Sequence, residues 1–208
     1  MPSNLYDLLQ QSSARHSHLC PRQVLGVRMG LAGMAALGIE PPAAKQTALI
    51  IIETDGCFAD GIKVSTGASI GHRTLRVNDF GKVAATFVDV KTERAIRIAP
   101  LSDIRERASA SLPNEKRHYF AQLEGYQIMP EKEMFSFQEV ILHPSLAVLL
   151  SKPNMRVNCE YCGEEIMNER QVCINGNTLC LACANQGYYL LKSLSVHSQE
   201  ISVKQNNN

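Results

Sequence analysis

The chain has 208 residues, of which 45% are hydrophobic, and a formal net charge of +1. This composition predicts a soluble globular protein with one full core and room for a small second module. Near-zero charge gives no electrostatic basis for binding nucleic acid or a membrane surface. No apolar run approaches the roughly 18 residues of a membrane-spanning helix.

The location of the protein bears on the chemistry of its cysteines. Residues 1–15 contain no basic segment that leads into an apolar stretch, so we expect no signal peptide and a cytoplasmic location. In that compartment, the seven cysteines of the chain are more typical of metal ligands or reactive thiols than of disulfides.

Two helices are predicted before the first strand. The first spans residues 4–14 and has leucines on one side, and the second runs over residues 21–38. Pro21 suits the first position of this second helix, where its missing N–H has no intrahelical partner in any case. Three glycines interrupt the apolar stripe, so we expect a neighbouring backbone to approach closely at Gly26, Gly30 and Gly33.

A histidine-rich segment, His16-Ser17-His18-Leu19-Cys20, precedes the second helix. In an extended segment alternate side chains share a face, so His16, His18 and Cys20 are expected to point the same way. Imidazole and thiolate together form a ligand set for transition metals. The alternative is that the histidines are ordinary loop residues and the cysteine packs in the core.

A glycine-rich connection follows the first predicted strand, residues 47–53. It begins Gly56-Cys57-Phe58-Ala59-Asp60-Gly61 and continues to residue 71. If Cys57 begins a helix, Asp60 lies on the same face one turn later. The positive field of a helix N-terminus favours thiolate, so we expect a lowered pKa for Cys57, and equally for Cys20. The alternative is a turn with a buried cysteine.

The remaining elements of the first 150 residues alternate between strands and helices. Strands are predicted over residues 74–78, 82–90, 94–99 and 135–142, and helices over residues 102–111 and 114–125. This order predicts an α+β fold in residues 1–150, with a mixed or antiparallel sheet packed against helices.

A cysteine module occupies residues 151–194. Cys159-Glu160-Tyr161-Cys162 is followed, after 17 residues, by Cys180-Leu181-Ala182-Cys183. Two such pairs at this spacing are a strong indication of structural zinc, bound by Cys159, Cys162, Cys180 and Cys183. Asn175-Gly176 between the pairs predicts a hairpin, and residues 181–194 are expected to form a helix. This order is typical of a small treble-clef finger or zinc ribbon.

The finger also constrains the partners that we expect. Residues 151–208 carry five basic and five acidic side chains, so nucleic-acid binding is not expected, whereas docking of a protein partner is. Cys173 lies off the ligand pattern and is interpreted as a packing residue. Residues 195–208 are polar and are predicted to form a flexible tail.

Three segments of the chain resemble the motifs of a known family. They are His16-Ser17-His18-Leu19-Cys20-Pro21, the stretch from Cys57 to Gly71, and Asp79-Phe80-Gly81-Lys82-Val83-Ala84. In this order and spacing they resemble the FmdE family of formylmethanofuran dehydrogenase proteins. The resemblance implies an α+β core, often in a homodimer, and in some members an appended treble-clef finger. The finger also resembles those of DksA/TraR proteins, which act on RNA polymerase, but their coiled-coil body is missing.

The resemblance also implies roles for individual residues. The family's histidine and first cysteine correspond to His18 and Cys20, and its Cys-x-x-Asp corresponds to Cys57 and Asp60. The chain departs from the family pattern at Arg22, Lys63, Ala68 and His72. Alanine at position 68 removes a thiol, so we expect no third cysteine in the core site, and His72 is a candidate to compensate.

Different classes of function fit these residues. The first is a metal-binding accessory of a molybdenum or tungsten formylmethanofuran dehydrogenase-type system, as the family name implies. Its core would hold a second transition metal, zinc being one candidate, on His16, His18, Cys20 and Cys57. The second is a metal- or thiol-dependent enzyme in which Cys57, Asp60 and His72 act on a small substrate. The third is a regulator that binds protein or nucleic acid through the finger.

Overall fold

The computed structural model describes residues 4–14, 16, 18–41 and 47–189. The chain divides into two compact units, Met1–Leu146 and Ala147–Asn208, and each unit is described by itself below. The predicted tail, residues 195–208, lies outside the described residues. None of the helices in the described part of the chain is long and apolar enough to cross a membrane.

Within the described residues, the first unit contains five α-helices, a short 3₁₀ helix (Glu131–Glu133) and a five-stranded sheet. The helices are α1 (Leu5–Ser13), α2 (Pro21–Leu37), α3 (Cys57–Thr66), α4 (Ile104–Ser111) and α5 (His118–Ile128). The strands are β1 (Ala48–Ile52), β2 (Leu75–Val77), β3 (Ala85–Asp89), β4 (Ala95–Pro100) and β5 (Phe135–Glu139). A short helix that the sequence did not predict, α6 (Leu146–Leu150), begins at the boundary between the units.

The sheet is mixed, which confirms the predicted α+β fold class. Its strand order is β2-β1-β3-β4-β5. Strand β2 runs parallel to β1, and the other neighbouring pairs are antiparallel. Strand β1 lies inside the sheet, between β2 and β3, and its apolar sequence fits that position, because a strand buried on both faces has no need of alternating polar residues. Ile50 pairs with Phe87, and Phe87 pairs with Ile96, so three strands contribute to one apolar row.

Helices α2 and α3 lie side by side and run in the same direction. A Cβ atom on Gly26 would collide with the Phe58 carbonyl oxygen of α3, and one on Gly61 would come within 2.5 Å of the Gln23 carbonyl oxygen of α2. One turn later, Gly30 faces Ser65. The predicted approach of a neighbouring backbone is therefore found at Gly26, whereas Gly30 and Gly33 face side chains, those of Ser65 and Phe87. The contacts of Gly26 and Gly30 place both helix N-termini at the same end.

Arg28 ties α2 to the end of α5. Its guanidinium donates hydrogen bonds to the carbonyl oxygens of Tyr126, Gln127 and Met129, at 2.8, 3.1 and 2.7 Å. These carbonyls belong to the last turn and C-cap of α5, where intrahelical donors are missing. Burial lowers the pKa of Arg28, and the charge of Glu131 partly offsets that effect. The contact fixes the position of α5 against α2.

We expect Arg28→Ala to destabilise the first unit by about 2 to 3 kcal/mol, because three carbonyls lose a charged donor. Urea unfolding followed by circular dichroism measures this loss. Arg22→Ala is the matched control, since Arg22 is an exposed arginine of the same helix. Equal unfolding midpoints for the two variants would contradict the capping role.

The second unit consists of two hairpins and the cysteine knuckles. Strand β6 (Arg156–Asn158) pairs with β7 (Glu165–Met167), and β8 (Val172–Ile174) pairs with β9 (Asn177–Leu179), both antiparallel. Asn175 and Gly176 have φ angles of 53° and 85°, which are the positive values that a tight hairpin turn requires. The hairpin predicted at this dipeptide is confirmed.

The helix predicted over residues 181–194 is not found in its described part. Residues 181–185 form a single turn, in which the Ala184 N–H donates to the Cys180 carbonyl at 3.0 Å. Asn185 then has a φ of 58°, a left-handed conformation that ends a helix instead of extending it. The prediction was therefore wrong for residues 181–189, and residues 190–194 lie outside the described part of the chain.

Candidate functional site

Four cysteines of the second unit form a candidate metal centre. The sulfur atoms of Cys159, Cys162, Cys180 and Cys183 all lie within 4.8 Å of one another. Two knuckles bring them together: the Gly163 N–H donates to the Cys159 carbonyl at 2.8 Å, and the Cys180 N–H donates to the Cys159 sulfur at 3.3 Å. The predicted ligand set is thus assembled in space.

The spacing of the sulfurs fits a tetrahedral metal. Four sulfurs that each lie about 2.3 Å from one zinc ion are roughly 3.8 Å apart, and Cys162 Sγ lies 3.9 Å from Cys180 Sγ. A cluster of four thiolates could therefore hold one metal ion. Cys173 lies outside the group, as expected, but it is exposed on β8, so its interpretation as a packing residue was wrong.

The electrostatics of the cluster differ from one thiol to another. Backbone N–H groups of Cys162 and Cys180 lower the pKa of Cys159 to about 6, so this sulfur is a thiolate near neutral pH. Burial and the neighbouring sulfurs, Cys180 first, raise the pKa of Cys183. A bound cation compensates such crowding of negative charge, because it is the largest local charge in the site.

A second candidate site lies where α2 and α3 begin. Cys20 is the N-cap of α2, and its N–H donates to the side-chain oxygen of Gln23 at 2.8 Å. Cys57 is the first residue of α3 and follows Gly56, whose φ of 70° makes the sharp entry turn. Because the two helices are parallel, both cysteines stand at the same end, and their thiols interact.

The expected lowering of the Cys57 pKa was wrong. Burial raises the pKa of Cys57, and the hydrogen bond and charge of Cys20 raise it further. The backbone N–H at the helix start acts in the opposite direction but does not outweigh these two effects. Burial and the proximity of a second thiol therefore govern this site more than the helix N-terminus does.

Asp60 of α3 contacts one of the predicted histidines. His16 Nε2 lies 2.8 Å from Asp60 Oδ2, and each side chain is about one third exposed, at 31% and 34%. Asp60 lies one helical turn beyond Cys57 on α3, as the spacing predicted. The contact orients the imidazole of His16, a candidate metal ligand in the sequence, and it engages the Nε2 atom of that ring.

The structure does not gather the predicted core ligands into one cluster. Among the described residues, the four-cysteine group is the only set of three or more candidate ligands with all atoms within 4.8 Å, so His18, Cys20 and Cys57 do not form one. Cys20 and Cys57 form one pair, and His16 and Asp60 form another.

His72 and Ala68 lie away from the thiol pair. Both follow the C-terminus of α3, whereas Cys57 begins this 10-residue helix, so roughly 15 Å of helix separates the two ends. His72 Nδ1 lies 2.8 Å from the hydroxyl oxygen of Ser69, and Ala68 is buried. The position at which the family pattern has another cysteine is thus remote from Cys57 in this chain.

Two further contacts hold the segments around these residues, and only one of them was indicated by the sequence. The hydroxyl of Tyr119, near the start of α5, donates to the Leu19 carbonyl at 3.4 Å. The Phe80 and Lys82 N–H groups donate to the Glu53 carbonyl at 2.9 and 3.1 Å, which holds the Asp79-Phe80-Gly81-Lys82 loop just after β1. The family motif indicated that this loop matters, but no local pattern indicated Tyr119.

The fold and these sites define an α+β protein with a paired-thiol core and a four-cysteine module that could bind metal. Comparison with protein families extends this description. Residues 15–136 match the family model described as FmdE, molybdenum formylmethanofuran dehydrogenase operon. The chain belongs to the FmdE family, which confirms the resemblance seen in its motifs.

A curated protein is similar to this chain in sequence. A probable S-adenosyl-L-methionine-binding protein from Archaeoglobus fulgidus is 31% identical over 89% of the chain, and the match covers 55% of that relative. The chain therefore spans about half the length of the curated relative that it matches.

A solved structure is similar in fold. It is the crystal structure of a tungsten formylmethanofuran dehydrogenase FmdE-like protein from Syntrophus aciditrophicus, with a TM-score of 0.56. The match covers 90% of this chain and 96% of that one, at 20% sequence identity. At this identity the likeness concerns the fold alone.

Proposed function

We propose that this FmdE-family protein is a metal-binding accessory of a molybdenum or tungsten formylmethanofuran dehydrogenase-type system. The four-cysteine cluster holds a structural zinc, and the core thiol pair holds a second transition metal more weakly. The observation that carries the core assignment is the meeting of Cys20 and Cys57 at the N-termini of two parallel helices.

Zinc is the metal that the donor set of the finger favours. Four cysteine sulfurs at tetrahedral spacing are typical of structural zinc sites, which have no open coordination position. The second unit also has few buried apolar side chains among its described residues, with Ile166 the buried residue of β7. A module of this kind needs the free energy of metal binding in order to stay folded.

The core pair is proposed to bind a metal with fewer ligands. Cys20 and Cys57 supply two soft sulfur donors, and His18 precedes Cys20 by two residues on the segment leading into α2. His18 must move to complete a three-residue set, because it does not lie within 4.8 Å of both thiols. A rearrangement of this kind reduces the apparent affinity, so we expect the core site to bind metal more weakly than the finger.

Cobalt titration tests the core site. Co²⁺ is added to protein whose finger already holds zinc, and thiolate-to-cobalt absorption is recorded. We expect absorption in the wild-type protein, its loss in Cys57→Ser, and its retention in Cys173→Ser, which removes an exposed thiol of the other unit. An absence of absorption in the wild-type protein would rule out the core metal site.

The contact between His16 and Asp60 favours one alternative function. A carboxylate that holds an imidazole is an arrangement that can move protons, as a thiol-dependent enzyme requires, and Asp60 lies one helical turn beyond Cys57. Fast alkylation of Cys57 that added zinc does not slow would support this alternative. The name of the archaeal relative makes S-adenosylmethionine a reasonable first small molecule to test as a ligand, by calorimetry.

A further inference from the structure

Strand β5 forms one edge of the five-stranded sheet. In the strand order β2-β1-β3-β4-β5 it has β4 on one side and, among the described residues, no strand on the other. Four consecutive residues of β5, residues 136–139, are exposed, and the side chain of Phe137 is 41% exposed. An edge strand with this exposure can accept a further strand through its backbone.

The hydrogen bonds between β4 and β5 determine which backbone groups face the open edge. The Leu101 N–H donates to the Met134 carbonyl at 2.9 Å, and the Val140 N–H donates to the Ala95 carbonyl at 3.0 Å. The register between these two bonds is continuous. Successive residues of an antiparallel strand bond alternately to one side and to the other. The even-numbered members of residues 134–140 therefore bond to β4.

The odd-numbered residues of β5 direct their backbone groups to the open edge. Phe135, Phe137 and Glu139 each present one N–H and one C=O there. The strand carries none of the usual protection of an edge, because its sequence has no proline or lysine and no bulge interrupts its register. Its one charge is already paired, since Glu139 Oε1 lies 2.9 Å from Arg94 Nη2.

The opposite edge of the sheet differs from β5 in these respects. Strand β2 (Leu75–Val77) has only three residues, and the middle one is Arg76. A short edge that carries a basic side chain opposes the addition of another strand. Of the two edges, β5 is the one suited to pairing.

We propose that β5 is a self-association surface, which pairs antiparallel with β5 of a second copy of this chain about a two-fold axis at Phe137. The pairing joins two sheets into one and does not depend on either proposed metal site. Phe137 then lies opposite Phe137 of the second copy, and their outward N–H and C=O groups exchange both hydrogen bonds of that pair. Two aromatic rings in directly opposite positions add to the stability of the pair.

The charges and the neighbouring structure favour an axis at Phe137. This axis places the two Glu139 side chains four positions apart along the strands, roughly 13 Å, which exceeds the Debye length of about 8 Å at physiological salt. An axis at Glu139 would set two carboxylates opposite each other. An axis at Phe135 would need an extended strand at residues 131–133, which form a 3₁₀ helix.

The size of this surface predicts a dimer that dissociates on dilution. A stable interface buries about 1,200 to 2,000 Å² in total, and a single pair of five-residue strands supplies only part of that area. Ile141, two residues beyond β5, is 98% exposed and adds apolar surface near the end of the strand. The net charge of +1 means that two copies repel each other little.

Sedimentation velocity of the full chain, over a micromolar-to-millimolar concentration series, tests the proposal. We expect the dimer fraction of the wild type to rise with concentration. Phe137→Lys should weaken dimerisation at least about tenfold, because it sets two lysines opposite each other at the axis. Val77→Lys is the matched control, since Val77 lies on the other edge strand and is 40% exposed, and it should dimerise as the wild type does.

A mixture of two variants tests the position of the axis. Phe137→Glu alone should also dimerise poorly, whereas equal amounts of Phe137→Lys and Phe137→Glu should recover the dimer, because residue 137 then meets the opposite charge. Recovery also shows that both variants are folded. If circular dichroism finds either variant unstable, the double variant Ser136→Lys/Gln138→Lys gives the same repulsion at two exposed polar positions.

Three outcomes would contradict the proposal. A wild type that stays monomeric throughout the series would overturn self-association and would leave an extended strand of another protein as the occupant of the edge. Dimerisation of folded Phe137→Lys at the wild-type level would exclude β5 as the surface. A mixture of folded variants that fails to recover the dimer would exclude the axis at Phe137. The metal content does not enter these measurements, so none of these failures bears on the proposed metal sites.

Discussion

Cys159→Ser is expected to unfold the second unit and to lower the zinc content by about one equivalent per chain. Cys159 is the buried member of the cluster, and its sulfur accepts the N–H of Cys180 at 3.3 Å. Its loss removes both a metal ligand and the hydrogen bond between the two knuckles. Structural zinc contributes roughly 10 to 16 kcal/mol in small finger peptides, so little of the module should stay folded without it.

Metal analysis and limited proteolysis measure this effect together. Cys173→Ser is the control, because Cys173 is exposed on β8 and lies outside the four-sulfur group. We expect it to retain its zinc and to resist protease as the wild type does. Zinc content that stays the same in Cys159→Ser would show that the four-cysteine assignment is incorrect.

Local patterns in the sequence were sufficient to predict the elements that carry the sites. Pro21 begins α2 and Cys57 begins α3, as predicted, because proline and glycine restrict the backbone in ways that depend little on distant contacts. The spacing of the two Cys-x-x-Cys pairs likewise predicted that their four sulfur atoms lie together, since this spacing is typical of cysteines that bind one metal ion. The hairpin at Asn175 follows from the same kind of local chemistry.

Contacts between remote segments could not be predicted in this way. Tyr119 meets Leu19 across 100 positions of the chain, through helix packing that has no local pattern. The raised pKa of Cys57 has the same origin, because it depends on how deeply the thiol is buried and on the nearby Cys20. The helix N-terminus, considered alone, predicts a shift of this pKa in the wrong direction.

The separation of His72 from Cys57 illustrates a related limit. Motif spacing in the sequence placed both residues in one stretch, and the family pattern suggested that they share a site. A regular helix between them carries His72 to the opposite end of α3. Closeness along the chain therefore predicts closeness in space only within about one helical turn.

The parallel packing of α2 and α3 is the feature on which the core site depends. Gly61 lies where the two backbones approach closely, and a Cβ there would be 2.5 Å from the Gln23 carbonyl oxygen and 2.7 Å from the Val27 nitrogen. Both neighbours are backbone atoms, so no flexible side chain can move aside. The helices must separate in order to accommodate a methyl group.

We therefore expect Gly61→Ala to destabilise the first unit by about 3 kcal/mol, even though alanine favours a helix over glycine by roughly 1 kcal/mol. Urea unfolding measures this change, with Gly71→Ala as the control, because a Cβ on Gly71 meets no atom within 4 Å. Separation of the helices should also part Cys20 from Cys57 and weaken the cobalt absorption of the core. Stability equal to the wild type in Gly61→Ala would mean that α2 and α3 can move apart freely. In that case, the contact between the two helices would not hold Cys20 and Cys57 in place.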